Sequence, residues 1–258
     1  PASAGVAVAI LTGRAGFQRE LEEAPLVGRN AAIGAIEAVL DSEVRLQLVS
    51  EDGMGVGRVL RVAWSSASAR NMEVFSLRCR RRASGLLALD QLLDEMEACV
   101  GKLDSGVGHL AKALNDLHAE SGVLLIIEDI DHASIENRLA IEELLNDTRL
   151  PVLMSTNVPL EIPGRELCLR PLRVNEVRQM ISGMLSGGEP PPGMAEELFR
   201  LTGGVPAAVS AAVKDLHSRG LLIFDGLDDE GEVRWTMTGN LASHPGAVLR
   251  DFAESILE

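Results

Sequence analysis

The chain has 258 residues, 46% of them apolar, which is enough to bury a core and argues against disorder as its main state. Acidic side chains outnumber basic ones 38 to 24, and the net charge of −14 repels a phosphate backbone, so nucleic acid is an unlikely partner. Three cysteines, Cys79, Cys99 and Cys168, lie far apart without a CxxC pair; they fit reduced thiols in a cytoplasmic protein better than a disulfide framework, and no metal is expected on them.

The apolar run Ala4–Leu11 is too short to span a bilayer and lacks the basic flank of a signal peptide, so no membrane segment is expected. The chain opens on Pro1 instead of Met, as a fragment of a longer polypeptide would. Residues 1–24 hold no sustained period and read as a linker or the tail of a preceding element. From Pro25 the pattern becomes regular. Ile33, Ile36, Val39 and Leu40 predict a helix over Ala31–Leu40. A strand over Val44–Ser50 then runs into the glycine-rich Asp52-Gly53-Met54-Gly55-Val56-Gly57, and helical spacing resumes from Arg58 to Ala69.

Val74–Cys79 predicts a second strand, Leu86–Leu117 one or two amphipathic helices, and Val123–Ile127 an apolar strand buried on both faces. A helix over Ile135–Leu145 and a buried strand over Pro151–Ser155 follow. This alternation predicts an α/β fold, a mostly parallel sheet with helices on both faces, with Val123–Ile127 central and beside Val44–Ser50. Beyond Leu167 the strand signal fades into helical patterns at Asn175–Leu185, Gly193–Leu201 and Pro206–Arg219, which suggest a small helical lid. Leu221–Phe224 and Glu232–Met237 flank the turn-forming Asp228-Asp229-Glu230-Gly231, a hairpin that resembles the second half of a winged helix. The expected division is 1–24 linker, 25–167 α/β domain, 168–205 lid, and 206–258 lid helix with hairpin.

A P-loop wraps phosphates with backbone N–H groups at a helix N-terminus, while its Lys reaches the β- and γ-phosphates and its Ser/Thr binds Mg²⁺. Set on GxxxxGK[ST], the chain offers Asp52 for the first Gly, keeps Gly57, and has Arg58 and Val59 where Lys and Ser/Thr belong. Leu26-Val27-Gly28-Arg29 resembles the hydrophobic-Gly-Arg entry motif of STAND and AAA+ ATPases, a segment that packs near the adenine. Leu124–Asp129 resembles a Walker B strand ending in two carboxylates, here Glu128 then Asp129, one for Mg²⁺ and one to polarise water. The usual first residue is Asp, so Glu128 is a departure.

Met154-Ser155-Thr156-Asn157 resembles the sensor 1 segment, with Asn157 as the residue reading the γ-phosphate; Arg149 stands where an arginine finger is often found. Leu167–Leu172 followed by Glu176 resembles the passage into the lid, and Gly203-Gly204-Val205-Pro206 the Gly-x-Pro segment whose proline packs by the nucleotide. The resemblance, over residues 25–240, is therefore to a degenerate P-loop NTPase of the AAA+/STAND type. It implies a nucleotide site built from Val27, Gly28, Arg29, Gly53, Gly55, Val56, Gly57, Arg58, Val59, Asn157 and Pro206, with Glu128 and Asp129 as catalytic acids.

Each segment also has a plain reading. Gly28-Arg29 serves as a helix lead-in, Glu128-Asp129 as a solvated strand end, and Asn157 before Val158-Pro159 as turn chemistry. Arg78, Arg80, Arg81 and Arg82 read as a solvated loop, His132 as surface, and Trp64 and Trp235 as core and hairpin packing. Their joint order carries the resemblance.

Three functions follow. The favoured one is a regulatory or scaffolding pseudo-ATPase that contacts other proteins or further domains of its own polypeptide, binding ATP or ADP weakly and Mg²⁺ poorly. The second is a slow ATP-dependent signalling switch. The third, an origin-recognition-like DNA-binding ATPase, is disfavoured because residues 207–258 hold four Arg/Lys against nine Asp/Glu.

Overall fold

A computed structural model describes residues 20–42, 44–79, 87–102, 106–227, 231 and 233–238. The readings of residues 1–19, of Arg80, Arg81 and Arg82, of turn 228–230 and of everything past 238 lie outside the described residues. In chain order the elements are α1 (Asn30–Leu40), β1 (Arg45–Val49), α2 (Val56–Ala69), β2 (Glu73–Arg78), α3 (Leu87–Val100), α4 (Val107–Ser121), β3 (Val123–Glu128), a 3₁₀ turn (Ile130–His132), α5 (Ile135–Asp147), β4 (Val152–Thr156), β5 (Arg165–Cys168), α6 (Val174–Met184), α7 (Met194–Thr202), α8 (Pro206–Ser218), β6 (Leu222–Leu227) and β7 (Val233–Met237).

The first five strands form one parallel sheet in the order β2-β3-β4-β1-β5. Because strand side chains alternate, each central strand feeds two cores. Val123, Leu125 and Ile127 of β3 pack with Val152 and Met154 of β4 under α3, α4 and α5. Leu124, Ile126 and Leu153 point the other way, into a cluster with Leu46 and Leu48 of β1, and with α1 and α2. Gln47 is the buried polar residue of β1: its amide donates to the carbonyls of Leu160 (3.0 Å) and Ile162 (2.8 Å) and accepts from Leu160 N–H (3.2 Å). It thereby satisfies the backbone of the connection from β4 to β5.

Several features depart from the sequence reading. β3 is interior, as expected, but it is not beside β1; β4 lies between them. An apolar run reveals burial on both faces and says nothing about which strand pairs with it, and β4, buried at all five positions, is equally suited to the place. The second departure is β5, which the sequence does not announce. Three of its four residues are exposed, so it carries no buried run and is held by its ladder to β1. Trp64 also differs: it is 44% exposed on α2 instead of packed in a core.

The lid has its own core. Val177, Met180, Ile181 and Met184 of α6 meet Leu198 of α7, Val209 and Val213 of α8, Leu222 of β6 and Trp235 of β7 in one cluster. Trp235 sits edge-on to His217 and Phe224 (5.8 Å to each ring) and donates its indole N–H to the Leu185 carbonyl at 3.1 Å. Residues just before Pro25, read as the end of a linker, also join it: Leu21 and Ala24 pack on the cluster and Glu22 N–H donates to Met184 O at 2.9 Å. Pro206 opens α8 at its first turn, where a missing N–H is harmless.

Gly204 fixes how the lid leaves the sheet. It has φ +77°, Leu172 N–H donates to its carbonyl at 2.8 Å, and a Cβ there would collide with the Leu172 carbonyl. Gly204→Ala is expected to destabilise the chain by about 2–4 kcal/mol, from strain plus overlap, as read by urea unfolding. Loss of less than about 0.5 kcal/mol would mean that this crossing is not rigid.

Candidate functional site

Loops after β1, β3 and β4 converge at the carboxyl edge of the sheet. Ser50 N–H donates to Thr156 O (3.0 Å), Asp129 N–H to the Ser155 hydroxyl (2.9 Å), and Asn157 N–H to the Asp131 carboxylate (3.2 Å). The chain leaves β1 toward α2 on one face and leaves β3 toward α5 on the other. That divergence opens the crevice in which α/β sheets place ligands.

The glycine loop after β1 turns through two left-handed residues, Gly53 (φ +81°) and Gly55 (φ +84°), a conformation that costs a residue with a Cβ about 1 kcal/mol or more. Gly55 caps α2, its carbonyl accepting from Arg58 N–H (3.1 Å) and Val59 N–H (3.2 Å). The first N–H groups of α2, at Val56 and Gly57, have no acceptor inside the helix, which leaves the positive end of its dipole at the crevice.

The two side chains that would handle phosphate and metal go elsewhere. Arg58 reaches away from the loop, Nη1 to the Pro25 carbonyl (3.4 Å) and Nη2 to the Glu23 carboxylate (3.8 Å), beside a groove of about 410 Å³ on the outer face of α2. Val59 is fully buried in the core under α1 and α2 and offers no oxygen to a cation. Met54, in the middle of the loop, is buried in the same core.

The entry segment and the lid close on the carbonyls of this loop. Arg29 is 5% exposed; its guanidinium donates to Met54 O at 2.9 Å and to Gly28 O at 3.2 Å. Burial lowers its pKa and the neighbouring Glu176 raises it, although an arginine stays protonated under either influence. Gly28 (φ +67°) leaves so little room that a Cβ would lie 2.7 Å from the Glu176 carboxylate. Glu176 also accepts from Arg173 N–H at 2.7 Å, capping α6. From the lid, Ala207 N–H at the start of α8 donates to Gly53 O at 3.1 Å. Val27 packs on the lid core while Val205 packs on the sheet core, so each part inserts one residue into the other. Pro206, between Val205 and Ala207, is half-buried at this seam.

On the acidic side, Glu128 ends β3 with its carbonyl accepting from Cys79 N–H (2.9 Å). Asp129 has φ +55° and its carboxylate lies 3.5 Å from Arg78 Nε. Asp131 holds the loop that carries Asn157 and lies 3.6 Å from His132 Nε2. Asp131 and Ser155 were missed as parts of the site; the only sequence signal is a second acid two residues after Asp129. Cys79, buried below them, has its thiol pushed up to about 11, by burial first and then by Asp129 and Asp131. Arg149 is exposed, with its N–H on the Asn115 side chain (2.8 Å), away from these groups. Among the described residues no three His, Cys, Asp or Glu side chains are grouped to hold a metal ion.

The strand order, the glycine loop opening a helix, the acid-tipped strand one place removed and a helical lid make up a fold of the P-loop NTPase type. No described protein family and no curated protein matches the sequence. Solved structures do match. The chain is similar to the Walker-type ATPase PABY2304 of Pyrococcus abyssi (TM-score 0.57, 12% identity, 79% of this chain and 71% of that one). It is also similar to the Aeropyrum pernix Orc1 protein solved in complex with DNA (0.55, 16%, 88% and 66%) and to Cdc6p from Pyrobaculum aerophilum (0.56, 10%, 78% and 64%). The chain thus spans about two thirds of the length of these proteins. No helix among the described residues is long and apolar enough to cross a membrane.

Arg29→Met would keep the apolar stem and remove the donor to Met54 O, leaving a buried carbonyl unpaired beside Glu176. The expected cost is about 2–3 kcal/mol in urea unfolding, with faster amide exchange at Gly53–Val59 and at Ala207. Unchanged exchange at Ala207 would show that Arg29 does not couple the loop to the lid.

Proposed function

We propose that the chain is a pseudo-ATPase, an AAA+/STAND-type module whose nucleotide fold and lid serve as a regulatory or scaffolding body in signalling by protein contacts. The observation that carries this reading is the placement of the pair at the Lys-Ser/Thr positions. Arg58 is turned to Pro25 and Glu23, and Val59 is sealed in the core. The residues present do not fit a Mg²⁺-nucleotide: position 59 holds a buried apolar side chain where a cation ligand belongs, and Arg58 is turned away from the loop.

Support also comes from two acids that follow Glu128 after β3. Asp129 lies within ion-pair distance of Arg78, and the Asp131 carboxylate is bonded to the Asn157 backbone, so both carboxylates have structural partners. ATP or ADP would bind, if through the α2 N-terminus alone, without the metal contacts that make P-loop affinity high. Partners are other proteins or further domains of the same polypeptide, in the cytoplasm. A DNA-contacting role like that of the Orc1 structure is opposed by the −5 charge of residues 207–258 (four basic, nine acidic).

Phosphoryl transfer relies on a P-loop cation and a well-held Mg²⁺, and weakening both should cost on the order of 10³-fold in rate. Phosphate release by the wild type is expected to equal that of Asp129→Ala. Arg58→Lys combined with Val59→Thr is expected to stay within about tenfold of both and to lose about 1–2 kcal/mol of stability, because the new hydroxyl is placed in an apolar core. Wild-type turnover far above the Asp129→Ala control would mean that the site is an unusual active one.

A further inference from the structure

β5 ends the sheet. It pairs with β1 on one side, and among the described residues no strand pairs with the other. Leu169 N–H donates to Val49 O at 2.8 Å, which sets the phase of the ladder. Along a parallel pair, backbone groups face the neighbour at every second residue, so Leu167 and Leu169 face β1. Glu166 and Cys168 therefore turn their N–H and C=O groups to the open side. Such an edge is a ready template for another extended chain.

A cavity of about 680 Å³ runs beside this edge, walled by Glu166–Pro171, by Ala31 and Ala32 of α1, and by Arg173 and Glu176 at the start of α6. Alanine methyls on α1 leave it room. Its charge is opposite in sign to that of the molecule: three arginines, Arg29, Arg170 and Arg173, line it against two acids, Glu166 and Glu176, and among the described residues the exposed Arg170 and Arg173 enter no ion pair, whereas the chain as a whole carries −14. Of the two acids, Glu176 is held at the α6 cap and Glu166 accepts from the Cys168 thiol at 3.5 Å, which leaves Arg170 and Arg173 as the exposed charges facing an incoming strand.

We propose that β5 accepts an extended acidic segment of a partner protein as a further strand. The partner backbone bonds to Glu166 and Cys168, its carboxylates meet Arg170 and Arg173, and its alternate side chains enter the cavity. This deepens the scaffolding reading by naming a partner class and rests on it only in that the module works by protein contact. The test involves no ATP turnover, so failure here leaves the pseudo-ATPase reading standing, and recovered turnover leaves this one standing.

A random dodecapeptide display library is panned on the full chain, and the most enriched peptide is titrated by fluorescence polarisation. Enriched sequences are expected to be acidic with alternating apolar residues. Cys168→Pro deletes one outward N–H without touching the β1 ladder, a change that edge strands tolerate, and should weaken the Kd about tenfold or more; Cys168→Ala, which keeps that N–H, should bind as the wild type does. Arg170→Glu with Arg173→Glu should weaken it similarly, and this surface pair keeps the test decisive if the proline variant fails to fold. No enrichment, enrichment of basic or purely apolar peptides, or equal affinity for the wild type and the charge-reversed pair would overturn the proposal. So would a dimer in sedimentation equilibrium that Cys168→Pro abolishes, which would assign the edge to a second copy.

Discussion

The guanidinium of Arg29 lies between three stretches that the sequence holds far apart: the entry segment at Gly28, the glycine loop at Met54 and the lid helix at Glu176. A buried arginine cannot shed its charge, so it must be hydrogen-bonded and balanced where it stands. Meeting that demand draws Met54 O inward and brings Glu176 against Gly28, where no side chain other than hydrogen fits. The lid is then close enough for Ala207 to reach Gly53 O and for Val205 and Val27 to exchange cores. The closed relation of lid to loop thus follows from one cation and the groups that satisfy it.

The same arrangement bears on chemistry. A phosphate-binding loop offers N–H groups and keeps its carbonyls turned away, and here two of those carbonyls are tied to protein donors, which makes the loop rigid without any ligand. Arg58 retains the positive charge of the P-loop position but spends it at an exposed rim, where pairing with Glu23 contributes about 0–1 kcal/mol. Val59 has become part of the hydrophobic core. The fold does not need Lys and Ser/Thr at positions 58 and 59, because it depends on the apolar strands and on the turn at Gly55.

Much of this was legible in the sequence, for identifiable reasons. Val123–Ile127 and Pro151–Ser155 are apolar runs of strand length and read as buried strands. Helices α2, α6 and α8 showed themselves through helical spacing. Pairing order was not legible, since β3 and β4 are alike in composition and only the crossovers decide which lies beside β1. β5 was invisible because an edge strand with exposed Arg165, Glu166 and Cys168 has no burial to display. Gly28-Arg29 and Asn157 were singled out by resemblance, but the partner of Arg29 is a backbone carbonyl, and no residue identity signals that. Ser155 and Asp131 escaped for a similar reason: each acts on a backbone N–H of the other loop.

Calorimetric titration of the chain with ATP and with ADP, each with and without Mg²⁺, is the most direct test of whether this P-loop fold has given up its metal-assisted site. With Val59 in the core and no hydroxyl offered to the cation, Mg²⁺ is predicted to change nucleotide affinity by less than about twofold, a difference below 0.5 kcal/mol. A gain of about 100-fold or more on adding Mg²⁺ would contradict the account, because it would require a cation held between protein and phosphates that this arrangement does not provide.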